Sequence, residues 1–441
     1  MSYEVIALLM FSTMMLMLMT GQRVFAAIGF VATVAGLLLW GVGGEDIPFS
    51  AAMKLMKWYP LLTLPMFIFM GYVMSESRIA DDLYRMFHVW MGPVRGGLAI
   101  GTIALMVLIS AMNGLSVAGM AIGATIALPE LLRRNYDKIM VTGVIQAGAS
   151  LGILVPPSVV LVLYAMIARQ PVGQLWLAGV LPGLMMAALF VIYVYLRCLI
   201  QPQLGPAMSQ EEREEVTMAE KLRLLRAGIL PIVIFAVMMV PFVKGWTSLV
   251  ESSAIGAIAS FMAAVLKGRM TRQVFEVSVR QTLGISCMFM WIILAAMAFG
   301  AIFDGLGAVN AIRNLFTDQM GLSPWMILIL MQLSFLVMGT FLDDTAMLVI
   351  VAPLYVPLVD ALGFDLVWYG ILYTITTQIA YMTPPFGYNL FLMRAMAPPS
   401  INMRDIYRSI TPFVFVMILA LALVMIFPDI AMWLPNYVYG K

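Results

Sequence analysis

A single histidine, His88, stands in a chain of 441 residues. That scarcity excludes histidine-rich metal sites and imidazole relays, and His88 itself reads as a packing residue near a membrane interface. Cysteine is nearly as rare. Cys198 and Cys287 lie far apart in apolar surroundings, which leaves no disulfide framework and no thiolate metal site. Charge is scarce as well, at 11% of residues, with a formal net charge of +2. No basic surface for nucleic acid follows from such a balance. The nucleotide-binding pattern GxxxxGK[ST] is absent, as is HExxH. These absences argue against an ATPase and against a membrane-embedded enzyme.

What the chain has instead is apolar surface. Hydrophobic residues make up 63% of it, and its mean hydropathy is +0.98. No soluble domain hides that much, so the composition predicts a polytopic α-helical membrane protein. The 41 methionines are flexible apolar filler. The first stretch, "MSYEVIALLMFSTMMLMLMTGQR", carries Glu4 where a signal peptide needs positive charge, and it reads as a first transmembrane helix.

Apolar segments fall near 4–20, 24–41, 58–75, 139–168, 176–198, 229–243, 249–266, 284–303, 366–393 and 411–433. Two more, 98–130 and 324–361, are too long for one span. Each has a polar kink near its middle, "MNGLS" at 112–116 and "GTFLDD" at 339–344. They are expected to be re-entrant helical hairpins, whose tips are tolerated in a membrane only against protein or a wet cavity.

The chain also repeats itself. At a spacing of 228, Pro129 meets Pro357, Asp137 meets Asp365, Pro156-Pro157 meets Pro384-Pro385, and Pro171 meets Pro399. At 229, Gly71 meets Gly300, Leu83 meets Ile312 and Phe87 meets Phe316. Five full spans separate the two starts, and an odd number inverts the halves. The expected fold is therefore an all-α membrane protein with an inverted repeat, two re-entrant hairpins and two Pro-Pro-broken helices. The first repeat covers 1–198, with an interfacial arm at 76–90, hairpin 98–130 and broken helix 139–168. A cytoplasmic connector covers 199–228, whose helix 209–226 opens with a Ser209–Glu212 capping box. The second repeat covers 229–441, with arm 304–319, hairpin 324–361 and broken helix 366–393. In both arms apolar residues at helical spacing (Ile79, Leu83, Met86, Phe87, Trp90; Val309, Ile312, Leu315, Phe316) suit a membrane interface.

With the N-terminus outside and both hairpins returning to their side of entry, 19 of the 25 basic residues fall in inner loops. The positive-inside rule favours that orientation. Lys54, Lys57, Arg169, Lys244, Arg313 and Lys441 remain outside.

The adjacent prolines carry the chemistry. A proline has no N–H, so the carbonyl four residues back loses its donor. Pro156 and Pro157 release the carbonyls of Gly152 and Ile153, and Pro384 and Pro385 release those of Ala380 and Tyr381. A bare carbonyl in hydrocarbon costs several kcal/mol. A hard cation satisfies it, because oxygen ligands suit one. The hairpin kinks add Asn113, Gly114 and Ser116 in one half, and Gly339, Asp343, Asp344 and Thr345 in the other. The first half offers no carboxylate near its break, which disfavours calcium and suits sodium. Protons remain an alternative through Asp343 or Asp344. An intramembrane acidic pair is a functional candidate by default, and capping of the hairpin's second helix is its structural alternative. Arg394 reads as a basic anchor at a helix end.

"NGLSVAGMAIGATIALPELLRRNYDK", "GILVPPSVVLVLYAMIARQPVGQLWLAGVLPG", "MGTFLDDTAMLVIVAPLYVPLVDALGFD" and "MTPPFGYNLF" closely resemble the large membrane subunit of tripartite ATP-independent periplasmic (TRAP) transporters, the DctM-like family. The resemblance implies sodium-coupled uptake of a small organic anion, mostly a carboxylate, by an elevator movement in a bacterial or archaeal inner membrane. It implies two partners, a periplasmic solute-binding protein (DctP-like) and a small membrane subunit (DctQ-like), the latter expected to be separate because the chain begins with its own first span. It implies a first sodium site at Asn113, Ser116, Gly152, Val155 and Pro157, and a second at Gly339, Asp343, Thr376, Met382 and Thr383. Substrate is expected at Asn113, Ser116, Ser158, Thr383 and Asn389. No cofactor is implied beyond the coupling ions. Departures from the family pattern occur at Asn113 and Leu115, where hydroxyl residues are usual, and at Thr376 and Ala380, where asparagine and glycine are frequent. The competing reading is a stand-alone or proton-coupled carrier of the wider inverted-hairpin superfamily.

Overall fold

Aspartate caps and prolines set the helix ends that position everything else. The computed structural model describes residues 3–20, 22–114, 116, 119–120, 123–207, 218–339, 344–384 and 387–440, and among them there is no strand. The first half comprises α1 (Tyr3–Met19), α2 (Val24–Ala35), α3 (Asp46–Met56), α4 (Thr63–Glu76), α5 (Ile79–Met91), α6 (Gly97–Asn113), α7 (Leu128–Arg133), α8 (Lys138–Ser150), α9 (Val159–Ala168) and α10 (Val172–Ile200). The second comprises α11 (Met218–Val243), α12 (Leu249–Leu266), α13 (Arg272–Gly305), α14 (Ala308–Asn314), α15 (Pro324–Gly339), α16 (Asp344–Ala361), α17 (Leu366–Tyr381), α18 (Tyr388–Met396), α19 (Met403–Ile426) and α20 (Asp429–Tyr439). Four of these, α10, α12, α13 and α19, are individually long and apolar enough to cross a membrane.

Asp137 accepts from the Met140 amide at 2.8 Å to start α8, and Asp365 accepts from the Val367 and Trp368 amides at 2.8 and 2.9 Å to start α17. Both satisfy first-turn N–H groups that have no partner within the helix. The two caps occupy equivalent repeat positions. Ser150 and Gln378 are also equivalent, and they touch: the Gln378 amide donates to the Ser150 carbonyl at 2.8 Å. Equivalent residues meet where the two halves cross, so α8 and α17 cross at the ends that lead into their Pro-Pro breaks.

A frame surrounds this crossing. Within it α13 packs along α2, α3 and α4, and α12 packs between α4 and α11. Gly29 brings α2 close to α13, where a Cβ would lie 3.6 Å from that of Ala295. Small residues let apolar helices approach where no hydrophobic effect drives them together. Inside the frame, α6 lies along α8, α15 along α17, and α19 along both α8 and α17. α5 is wedged between α6 and α11, with the Trp90 indole donating to the Lys221 carbonyl at 3.3 Å. Its stripe of Ile79, Leu83 and Met86 is buried, while Trp90 is half-exposed. α14 sits likewise between α1 and α16.

The loops sort onto two faces. On one, Arg269 reaches the Arg78 carbonyl at 2.7 Å, Lys138 pairs with Asp405 at 2.8 Å, and the Gly96 amide donates to Gly205 at 2.9 Å. This face is rich in arginine. On the other, Lys54, Arg169, Phe242 and Tyr439 line one cavity.

Three boundaries differ from the hydropathy reading. α11 runs unbroken from Met218 into the span ending at Val243, so part of the connector is the span's first turns. Residues 208–217, with Ser209 and Glu212, lie outside the described residues. α13 has 34 residues, about 51 Å at 1.5 Å each. Hydropathy shortens it because Arg272, Glu276 and Arg280 sit in its first turns, although Arg272 and Glu276 form an i,i+4 pair at 2.9 Å that suits a helix. The last apolar run is two helices, because Pro428 has no N–H to continue α19 and instead starts α20.

Gln378→Leu should lower stability by about 1–3 kcal/mol, since it takes the closer of two donors from a buried carbonyl. The Tyr381 hydroxyl, at 3.4 Å, is the other. Unfolding midpoints in detergent test this, with Thr33→Ala as control, whose hydroxyl only back-bonds to Gly29 on an exposed helix face. Equal midpoints for the two variants would contradict the crossing's role.

Candidate functional site

The first cluster forms where α6 ends on the break between α8 and α9. Gly114 follows Asn113 with φ +64°, and a Cβ there would lie 2.4 Å from the Pro157 carbonyl oxygen. Only glycine fits both the left-handed backbone and that approach. The Gly114 carbonyl accepts from the Val159 amide at 3.2 Å, an orphan donor at the start of α9. Met106 of α6 also lies beside Gly123, with its Cε 3.3 Å from where a Cβ on 123 would stand. The kink is thereby tied to the Pro-Pro break. Gly152, Val155, Pro157 and Ser116 are all buried here. The side chain of Asn113, and Leu115 entirely, lie outside the described residues.

The carbonyls released by the prolines have different fates. Leu154 and Val155 both direct their amides to Leu151, at 3.1 and 2.9 Å. Pro156 has no amide, so the Gly152 carbonyl receives no ladder bond. The Ile153 carbonyl is recaptured: the Ser158 hydroxyl donates to it while accepting from the Leu161 amide at 3.2 Å. Ser158 is thus at once the cap of α9 and the substitute donor for Pro157. Its own carbonyl accepts from the Trp176 indole at 3.3 Å. Gly179 on α10 makes room for the next carbonyl, with a Cβ position 2.5 Å from the Leu154 oxygen.

The second cluster forms between α15 and α17. A Cβ on Gly339 would lie 2.3 Å from that of Ala380, so the missing side chain at 339 is what admits alanine at 380. Ser334 and Tyr355 are hydroxyl partners at 2.8 Å, which sets α16 back along α15. Thr376 donates to the Gln332 side-chain oxygen. The Gln332 amide nitrogen is buried with no partner among the described residues. Beyond α17, the Thr383 amide takes the Ala380 carbonyl at 3.0 Å, and its hydroxyl takes that of Ile379 at 2.6 Å. Met382 is fully buried. Gly387 closes over this turn, with a Cβ position 2.5 Å from the Tyr381 oxygen and 3.0 Å from that of Thr383. Asp343 and Pro385 lie outside the described residues, as do the side chains of Asp344 and Thr345.

Asn389, in the first turn of α18, is fully buried, and neither its amide oxygen nor its amide nitrogen has a partner among the described residues. Such a group costs about 1–3 kcal/mol unless a ligand or water meets it. α18 packs against α8 and the 123–127 turn of the first half. Arg394 is exposed in the last turn of α18.

Over residues 6–430 the sequence matches the family described as tripartite ATP-independent periplasmic transporter, DctM component. The chain belongs to that family. DctM of Pseudomonas aeruginosa, a C4-dicarboxylate TRAP transporter large permease, is 29% identical over 88% of this chain and 90% of that protein. The sialic acid TRAP transporter large permease SiaM of Vibrio cholerae is 26% identical over 96% and 97%. Among solved structures, the YdaH transporter of Alcanivorax borkumensis superposes with a TM-score of 0.62 at 15% identity, covering 91% of this chain and 90% of that one. This DctM-family chain is therefore a multi-pass TRAP transporter large permease subunit, and not an enzyme.

The expected first-site residues of this permease gather at one kink and one break, and those described of the second gather at the other. Sequence reasoning missed the glutamines. Gln146 on α8 bonds Ser409 of α19 at 3.2 Å, Gln332 bonds Thr376, and Gln378 bonds Ser150. Their signal was present, since a primary amide in an apolar run needs a buried partner. Where the kink leaves the first cluster, Glu130 takes hydrogen bonds from Arg133 and Arg134 at 2.8–3.0 Å.

Two substitutions test the packing of the clusters. Gly114→Ala should reduce transport at least about tenfold, because a left-handed alanine costs about 1–2 kcal/mol before the clash with Pro157 is counted. Gly339→Ala should destabilise by about 1–3 kcal/mol through overpacking. Adding Ala380→Gly should restore both stability and transport. A double variant no better than Gly339→Ala would show that 339 and 380 do not share one space.

Proposed function

We propose that the chain is the large transmembrane subunit of a sodium-coupled importer of a small organic anion, most simply a carboxylate. The observation that carries this is the Gly152 carbonyl, left without a ladder donor beside a kink whose backbone is hydrogen-bonded to the same break. Sodium, a hard cation without need of a carboxylate, completes such an oxygen set. The first ion is assigned to Asn113, Ser116, Gly152, Val155 and Pro157, and the second to Gly339, Asp343, Thr376, Met382 and Thr383. The unpartnered amide of Asn389 suits a substrate carboxylate, with Asn113, Ser116, Ser158 and Thr383 completing that site. The C4-dicarboxylate and sialic acid permeases among its relatives support the anion class.

The helix pairs α6–α7 and α15–α16 then act as re-entrant hairpins, and the inner assembly moves as an elevator against the frame of α1–α4 and α11–α13. The arginine-rich face is cytoplasmic by the positive-inside rule, in the inner membrane of a bacterium or archaeon. A periplasmic binding protein delivers the solute, and a small membrane subunit completes the tripartite assembly that the family description names.

Uptake into proteoliposomes that contain both partners, with succinate and N-acetylneuraminate as probes, tests this reading. An inward sodium gradient should drive accumulation, and a proton gradient alone should not. Uptake that follows protons and ignores sodium would transfer the coupling role to Asp343 or Asp344. Asn389→Leu should raise the KM for the transported probe by about tenfold or more, in line with about 1–3 kcal/mol for an unmatched buried polar group.

A further inference from the structure

Two cavities open on the face opposite the arginine-rich one, and they flank Arg169. The larger, of about 670 Å³, is lined by Lys54, Trp58, Arg169, Gln170, Phe242 and Tyr439 together with aliphatic residues. No aspartate or glutamate lines it. The smaller, of about 260 Å³, shares Arg169 and Met297 and carries Asp304 and Asp360. Its size falls below, and that of the larger within, the roughly 300–1,000 Å³ usual for organic ligand sites.

The placement of the cations is unusual for this chain. Of 25 basic residues, only six are expected on this face, yet two of them line a single cavity. Neither Lys54 nor Arg169 forms an ion pair or side-chain hydrogen bond among the described residues. Two cations without an ion pair among the described residues, in one concave wall, attract an anion over a distance. Trp58, Phe242 and Tyr439 provide apolar and aromatic surface for a carbon skeleton. The acidic side cavity repels the same solute and favours the larger cavity.

Arg169 also carries a backbone signature. It ends α9 in the left-handed conformation, φ 53° and ψ 37°. Glycine is the default residue at such a helix end, and a side chain there is strained. The chain accepts that strain and keeps an arginine. From this residue α9 runs back to Ser158, ten residues or about 15 Å. The cavity therefore stands at one end of α9 and the first Pro-Pro break at the other. Its walls come from both the frame and the part proposed to move against it, with Lys54 on α3 and Arg169 at the end of α9.

We infer that the larger cavity is a staging site for a small organic carboxylate, which Lys54 and Arg169 hold after release from the binding protein and before transfer toward Ser158. The inference rests on the proposed importer reading, which places this face outside. It concerns a second, peripheral site, separate from the assigned central one.

Charge-selective thiol labelling tests it. In the full chain with Cys287→Ala, Cys198 is buried, and Gln170→Cys places a thiol at the cavity. Labelling rates are compared for an anionic sulfonatoethyl and a cationic trimethylammonium methanethiosulfonate, each normalised to a free thiol, in phosphatidylcholine nanodiscs. The anionic reagent should be favoured about tenfold or more. Lys54→Gln and Arg169→Gly should each reduce that preference and together abolish it, whereas Lys244→Gln should not. Arg169→Gly should also raise the unfolding midpoint, since glycine relieves the left-handed strain, which shows that the variant is folded. Succinate or N-acetylneuraminate should slow labelling. No anionic preference, or a preference insensitive to both substitutions, would overturn the site. Protection by added phosphatidylglycerol and by neither solute would assign the cavity to lipid phosphate and overturn the staging role. The labelling readout needs no sodium. Lost coupling with preserved charge selectivity therefore strikes the importer reading, and lost selectivity with intact sodium-driven uptake strikes this site alone.

Discussion

A carbonyl deprived of its donor inside an apolar layer is the constraint on which this structure turns. Proline creates that carbonyl by chemistry alone, at Pro156-Pro157 and again at Pro384-Pro385. Each released oxygen must find a donor from the protein, a water or a cation, because hydrocarbon offers none. The helix pairs, the crossing of α8 and α17, and the surrounding frame all bring such groups to the two breaks or hold them there.

The two halves meet the constraint differently. At the first break a hydroxyl one residue beyond the prolines, Ser158, recaptures the Ile153 carbonyl and leaves that of Gly152 open. At the second, Thr383 lies before the prolines and recaptures Ile379 and Ala380. The carbonyl at the position equivalent to Gly152, that of Ala380, is thus taken by a backbone amide in the second half. Gly114 and Gly339 also differ in role. The first admits a carbonyl, and the second admits a methyl group. The two breaks, built on one repeated pattern, therefore satisfy their carbonyls with different donors.

Much of this was legible in the sequence, because proline and aspartate act locally. The breaks, the kink near 113, and the register of 228 that pairs Asp137 with Asp365 all follow from single residues and their spacing. What was hidden depends on partners distant in the chain. The Gln332–Thr376 bond joins residues 44 apart, and the 228 register pairs Ser150 with Gln378 as equivalents without saying that they touch. The continuous α11 and α13 were hidden for another reason. Hydropathy marks where a helix enters lipid, whereas helix propensity and i,i+4 pairs decide where it begins.

Direct sodium binding to the purified permease is the measurement closest to the central claim. A titration of radioactive sodium against wild type and Pro156→Ala/Pro157→Ala should find one fewer bound ion in the variant, with its unfolding midpoint retained. The restored amides at 156 and 157 would occupy the carbonyls of Gly152 and Ile153. An unchanged stoichiometry and affinity in a folded variant would contradict the account.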